Sequence, residues 1–150
     1  MKTRNLILLL LSSLIASCTG SYYMESRNIN PLGWDKDSLL AYSFVVPDTV
    51  ENYDILLHLR HLDNYPYQNM WLFLGETDSL ITDTIEFYLA DDRGMWLGNR
   101  GNGHISMSVL YESSIRFEQL GERHLYIRHG MRRALLPGVS DLSVEVKRTK

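Results

Sequence analysis

From Leu39 onward apolar and polar residues alternate with a period of two, the repeat of a strand whose side chains point by turns to core and solvent. Tyr42, Phe44 and Val46 alternate with Ala41, Ser43 and Val45, and Pro47-Asp48 closes the run with turn chemistry. Tyr53, Ile55, Leu57 and Leu59 then share one face while Asp54, His58 and Arg60 share the other, which predicts a strand wetted on one side. Trp71 and Phe73 oppose Met70, Leu72 and Leu74, apolar on both faces, so a central strand is expected there. A fourth strand is expected over Asp83–Ala90. Others follow at Ile105–Tyr111, Ile115–Phe117, His124–His129 and Asp141–Lys147, the last with Leu142, Val144 and Val146 inward. The nearest approach to a helical stripe is Met131–Leu136, which predicts a helical turn ended by Pro137-Gly138. About eight short strands joined by Gly, Pro, Asn and Asp turns make the chain all-β, an antiparallel β-sandwich or jelly roll, with a barrel as the other arrangement.

The start of the chain has a different pattern. Lys2 and Arg4 precede an apolar run from Leu6 to Leu11 that continues to Ile15. About ten to twelve residues make roughly 15–18 Å of helix, too short for a bilayer core of ~30 Å, and this is the layout of a signal peptide. Ile15-Ala16-Ser17-Cys18 resembles the lipobox of bacterial lipoproteins. That resemblance implies cleavage before Cys18, then a diacylglycerol thioether and an amide-linked acyl chain on that residue. Burial of acyl chains yields about 0.8 kcal/mol per CH₂, so several chains anchor durably. Residues 1–17 are thus expected as signal peptide, 18–33 as a lipidated tether and 34–150 as the folded domain. The tether is polar and without alternation, and from Cys18 to Trp34 it would reach roughly 50–60 Å if extended, enough to hold the domain clear of the bilayer. Acidic residues directly after such a cysteine resemble a surface-export signal, and Thr19-Gly20-Ser21 lacks them, so by analogy the periplasmic face is expected, with the outer membrane as the expected location.

Composition narrows the function. With 45% hydrophobic and 22% charged residues the chain is globular, and 150 residues suffice for one domain. Its formal net charge is −3, and loss of Lys2 and Arg4 leaves 13 basic against 18 acidic residues. Nucleic acid is excluded as a partner, because phosphate contacts need a basic surplus, and attraction to anionic lipid is not expected. One cysteine permits no internal disulfide. The segment Leu89–Gly103 is rich in glycine, but its G-x-x-G-x-G spacing, with no Lys-Ser/Thr after it, does not make a phosphate loop. Asp91, Asp92, Asn99 and Asn102 are hard ligands without the spacing of a calcium loop. The segment reads best as a β-connection whose Trp96 pins it to the core. His58, His61 and His124 show no metal-ligand pairing, there is no nucleophile elbow, and adjacent Asp91 and Asp92 would point to opposite faces of a strand. No enzyme, metal or cofactor is expected. Three tryptophans and nine tyrosines leave a sugar-stacking platform, and so a glycan- or peptidoglycan-binding module, as an alternative.

Ordered motifs carry the reading further: Trp34-x-x-Asp37, Arg60 to Asn69 as Arg-His-Leu-Asp-Asn-Tyr-Pro-Tyr-Gln-Asn, Gly94-x-Trp96-x-Gly98-x-x-Gly101-x-Gly103, Phe117-x-x-x-Gly121, and Met131-Arg132 leading to Leu136-x-Gly138-Val139. Together with the lipobox, this series resembles the gliding-motility lipoprotein GldH family of Bacteroidetes. The resemblance implies a non-catalytic cell-envelope lipoprotein supporting gliding and, by association, type IX secretion. Members also occur in bacteria that do not glide, and envelope assembly fits both cases. Pro66 fixes its own φ and restricts Tyr65, so Tyr65-Pro66-Tyr67 is expected as a rigid loop offering two rings to a partner, or else folding back on the core with Asn69 bonded to the turn. Met131-Arg132-Arg133 is the second candidate surface, where guanidinium forks grip carboxylates.

Overall fold

The computed structural model describes residues 20–150; the expected signal peptide and Cys18 lie outside them. The described chain is all-β, with eleven strands: β1 (Tyr23–Asn28), β2 (Trp34–Asp35), β3 (Leu40–Val45), β4 (Tyr53–His61), β5 (Asn69–Gly75), β6 (Asp83–Tyr88), β7 (Asn99–Gly101), β8 (His104–Ile115), β9 (Glu122–His129), β10 (Leu135–Leu136) and β11 (Val139–Arg148). One sheet has the order β1-β11-β4-β8-β7, the other β3-β9-β5-β6, and β10 and β2 form a small ribbon. All pairings are antiparallel. Set β7, β2 and β10 aside and eight strands remain, passing between two four-stranded sheets in the order of a jelly roll.

The alternation found in the sequence is what packs the sandwich. Leu57 and Leu59 of β4 and Leu142 and Val144 of β11 face Tyr42 of β3, Leu72 and Leu74 of β5 and Ile127 of β9, all fully buried. The Tyr42 hydroxyl crosses between the layers and donates to the Leu142 carbonyl at 2.6 Å. β5 is indeed central, flanked by β9 and β6, although Trp71 on its outer face is 37% exposed.

Five strands, β1, β2, β7, β8 and β10, differ from expectation. Residues read as tether include β1, which pairs with β11 from Tyr23↔Val146 to Asn28↔Asp141. An edge strand held by backbone hydrogen bonds, with most side chains wet, need not alternate. Ile105–Tyr111 and Ile115–Phe117 are not two strands: β8 runs unbroken to Ile115, and register shifts opposite Tyr53, Ile55 and Leu56 interrupt its period. Met131–Leu136 forms no helical turn; Leu135 and Leu136 pair instead with Asp35 and Trp34. Strands of two or three residues, β2, β7 and β10, are too short to show a period.

Strand direction gives the molecule two poles. β1, β4, β6 and β9 run away from the end where the chain enters; β3, β5, β8 and β11 run back toward it. The loops 46–52, 76–82 and 116–121 lie at the entry pole. The connections 29–39, 62–68, 89–98 and 130–138 lie at the distal pole, about 30 Å away along the nine residues of β4.

Candidate functional site

The distal pole gathers residues far apart in sequence. β4 delivers His61, the next loop Asp63 to Gln68 with Asn69 opening β5, the long β6–β7 connection Gly94 to Gly98, and the β9–β11 connection Met131 to Gly138. At its centre lies an aromatic cluster. The His61 ring meets Trp96 edge-on at 4.6 Å and Tyr65 at 5.5 Å, and Tyr67 packs edge-on against Tyr65 at 6.1 Å. Trp96 Nε1 donates to Asp63 Oδ1 at 3.0 Å, and Arg100 closes a fork on the same carboxylate at 2.6 and 2.8 Å. That fork, more than anything else, holds the Asp63 carboxyl below its usual range. Trp96 therefore pins the glycine-rich connection to the core, through the ring and through Asp63.

Tyr65 is a structural residue. It is 4% exposed, its hydroxyl donates to the Asn69 carbonyl at 2.8 Å, and burial pushes that hydroxyl's pKa up. The expectation that both rings of the Tyr65–Tyr67 loop face a partner is corrected here: Tyr65 turns inward and Tyr67 is half-buried on it, while Pro66 is exposed. Gly138 explains part of the inward turn, since it has φ +81° and a Cβ there would stand 2.7 Å from Tyr65 Cα and N. Asn69 donates from Nδ2 to Glu86 Oε1 at 2.6 Å, bracing β5 against β6.

Gly94 sits in the turn closed by Gly94 N to Asp91 O at 2.9 Å, and the Asp91 carboxylate accepts from the Arg93 and Met95 amides. Gly98 is needed for close approach, because a Cβ would meet Ser106 O of β8 at 2.6 Å. Met131 is partly buried against the core, its sulfur 3.3 Å from the Trp71 amide. Arg132 and Arg133 stand exposed beyond it. Around them Leu32, Met95, Leu97 and Leu135 expose apolar side chains. Thus Tyr65, Tyr67, Gly94, Trp96, Gly98, Met131 and Arg132 share one pole, and Asn69 begins β5 beside it. Phe117 and Gly121 do not join them; Phe117 packs with Phe44 and Tyr53 at the entry pole.

A second polar group lies on the outer face of the five-stranded sheet. His58 bonds Ser108 Oγ through Nδ1 at 2.8 Å and Glu145 Oε2 through Nε2 at 2.7 Å, and Ser21 also donates to Glu145. Burial pushes the Glu145 carboxyl up, yet the bonds from Ser21 and His58 outweigh it and hold it low. The order Ser–His–Glu is that of a hydrolase relay, but with the ring nitrogens exchanged and on an open sheet face. Here it ties β8, β4, β11 and the chain start together. Among the described residues no group of three His, Cys, Asp or Glu converges as a metal site, and no helix is long and apolar enough to cross a membrane.

Sequence comparison decides the family. The model of the GldH lipoprotein family matches residues 21–146. The chain belongs to the GldH lipoprotein family. The match spans β1 to β11, so the family's domain is this jelly roll with its edge strand included. Among relatives, the gliding motility lipoprotein GldH of Flavobacterium johnsoniae is 29% identical over 140 residues, covering 91% of this chain and 87% of the relative. A gliding motility lipoprotein GldH homolog of Christiangramia forsetii is 27% identical over 148 residues, 91% of this chain and 90% of the relative. Among solved structures, one of tomato aspermy virus covers 100% of this chain and 95% of its own at 11% identity, with a TM-score of 0.37, too distant to speak to function. As a GldH-family lipoprotein the chain is a lipid-anchored envelope protein.

The sequence missed Asp63 and Arg100 as partners of Trp96. Both lie inside the quoted motifs, but a pair 37 residues apart leaves no local signal.

Proposed function

We propose that this GldH-family protein is a non-catalytic assembly component of the cell envelope, held by lipid on Cys18 in the outer membrane and facing the periplasm. Its distal pole is offered to another envelope protein of the gliding and type IX secretion apparatus. One observation supports this above the rest: the family-like motifs at residues 34–37, 60–69, 94–103 and 131–139 converge on the pole opposite the chain's entry. There they build a rigid aromatic base under exposed Met95, Leu97, Leu135 and Arg132. Exposed apolar side chains gathered at one end mark an interaction site, and Met and Arg are among the residues enriched at interfaces. The names of the two relatives support the link to gliding motility.

The test is co-purification from detergent-solubilised envelopes with Leu97→Asp and Arg132→Glu. Both should lose the partner while melting at the wild-type temperature. Unchanged capture by both would remove this surface.

A second reading, glycan binding, is favoured by one feature. Trp71 (37% exposed) and Tyr88 (61% exposed) stand on the outer face of the four-stranded sheet, beside the Asn69–Glu86 hydrogen bond. Retention of peptidoglycan or polysaccharide that disappears in Trp71→Ala would support it.

A further inference from the structure

The expected tether is far shorter than its sequence suggests. The Tyr22 amide already donates to the Val146 carbonyl at 2.8 Å, and Ser21 is bonded to Glu145. Only four residue steps separate Cys18 from Tyr22, a reach of at most about 14 Å. So short a strap keeps the entry pole, where the described chain starts, within about 14 Å of the surface that holds its first residue, less than half the length of the body.

What this pole presents fits a lipid surface. Val50, Leu80, Ile81 and Leu120 are exposed, at 71%, 59%, 40% and 69%, and sit on three loops whose other exposed side chains are polar. The loops are knitted together: Val46 N bonds Gly121 O at 2.8 Å, Arg123 of β9 pairs with Glu76, and Asp48 accepts from the Tyr53 hydroxyl at 2.5 Å with Arg148 nearby. Tyr22 is half exposed beside them, a ring suited to the headgroup level. Lys147 and Lys150 line an adjoining cleft of about 650 Å³. The acids Asp48, Glu51, Glu118 and Glu122 share the pole, so it is no polybasic patch, and apolar side chains must make the contact.

We infer that the entry pole rests on the leaflet holding the acyl chains, with Val50, Leu80, Ile81 and Leu120 dipping into its interface. The inference builds on the lipidation of Cys18 proposed above. With Cys18 acylated, the mature chain has no other thiol, so Val50→Cys, Leu120→Cys or distal Leu97→Cys each supplies a unique labelling site. The lipidated protein, carrying a fluorophore at one of these, is placed in phosphatidylethanolamine–phosphatidylcholine vesicles containing spin-labelled lipid. Quenching should be several-fold stronger at positions 50 and 120 than at 97 and should survive raised salt. Equally weak quenching at all three positions on vesicle-bound protein would overturn the inference and leave the anchor standing. Quenching abolished by salt would also overturn it, by assigning the contact to charge. Protein that fails to stay on the vesicles would remove the anchor, and the inference with it.

Discussion

His61 and His129 show how little slack the distal pole has. Both rings are buried, at 0% and 2% exposure. His61 Nδ1 donates to the Leu62 carbonyl and His129 Nε2 to the Trp34 carbonyl, each at 3.0 Å, while the other nitrogen of each ring has no hydrogen-bond partner. Burial, the largest effect, lowers both pKa values below the usual 6.5. The rings are therefore neutral when folded and take up protons on unfolding. Since the unfolded chain binds more protons, stability is full above about pH 6.5 and falls as pH drops toward the folded-state values, by at most about 1.4 kcal/mol per pH unit for each ring. Urea denaturation between pH 7.5 and 5 should show the decline, with a shallower one for His61→Gln; a flat profile would mean that the rings are not buried neutral. Tyr65→Phe should cost about 1 kcal/mol, for the lost hydrogen bond to Asn69, and leave partner capture intact. A loss of capture without loss of stability would restore Tyr65 as a contact residue. Sequence could single out Tyr65 and Trp96 as special but could not orient them. Pro66 restricts the loop equally well whether its rings point out or in; the inward choice rests on Gly138, brought from β11's side, and on the Asn69 carbonyl that accepts the Tyr65 hydroxyl.

At the scale of elements, the strands legible in the sequence are those with one buried and one wet face, together with β5, whose apolar run fills both faces. β3, β4, β9 and β11 appear almost as expected because their period of two is the imprint of a core on one side. β1 leaves no such imprint, yet its ladder completes the five-stranded sheet, and Ile29 just beyond it is buried. Starting the chain at Asn30 should cost on the order of 3 kcal/mol, the ladder's hydrogen bonds less the entropy regained by the freed strand, and should bare β11 as a sticky edge. Thermal melting and light scattering check this; an unchanged melt would reduce β1 to tether. The bulged β8 was legible in composition but not in continuity. Its backbone turns through Ser114 at φ 54°, where the amide bonds Asp54 Oδ1 at 2.9 Å, a cross-strand fact with no local trace.

For the whole molecule, the fold class was legible because alternation and turn chemistry suffice for an all-β domain, and the lipobox-like start places it at a membrane. What the sequence hides is polarity: which loops share an end. Jelly-roll order alone sends loops from four parts of the chain to one pole and three apolar loops to the other, and a strap this short from a lipidated Cys18 would turn the first pole outward and the second inward. The most direct measurement is photocrosslinking in intact envelopes from a light-activated residue placed in turn at Leu97, Arg132, Trp71 and Val50. Protein adducts of one discrete mass should form from positions 97 and 132 and not from 71 or 50. Adducts arising only from position 71 or 50, with none from the distal pole, would contradict the proposed role of that pole.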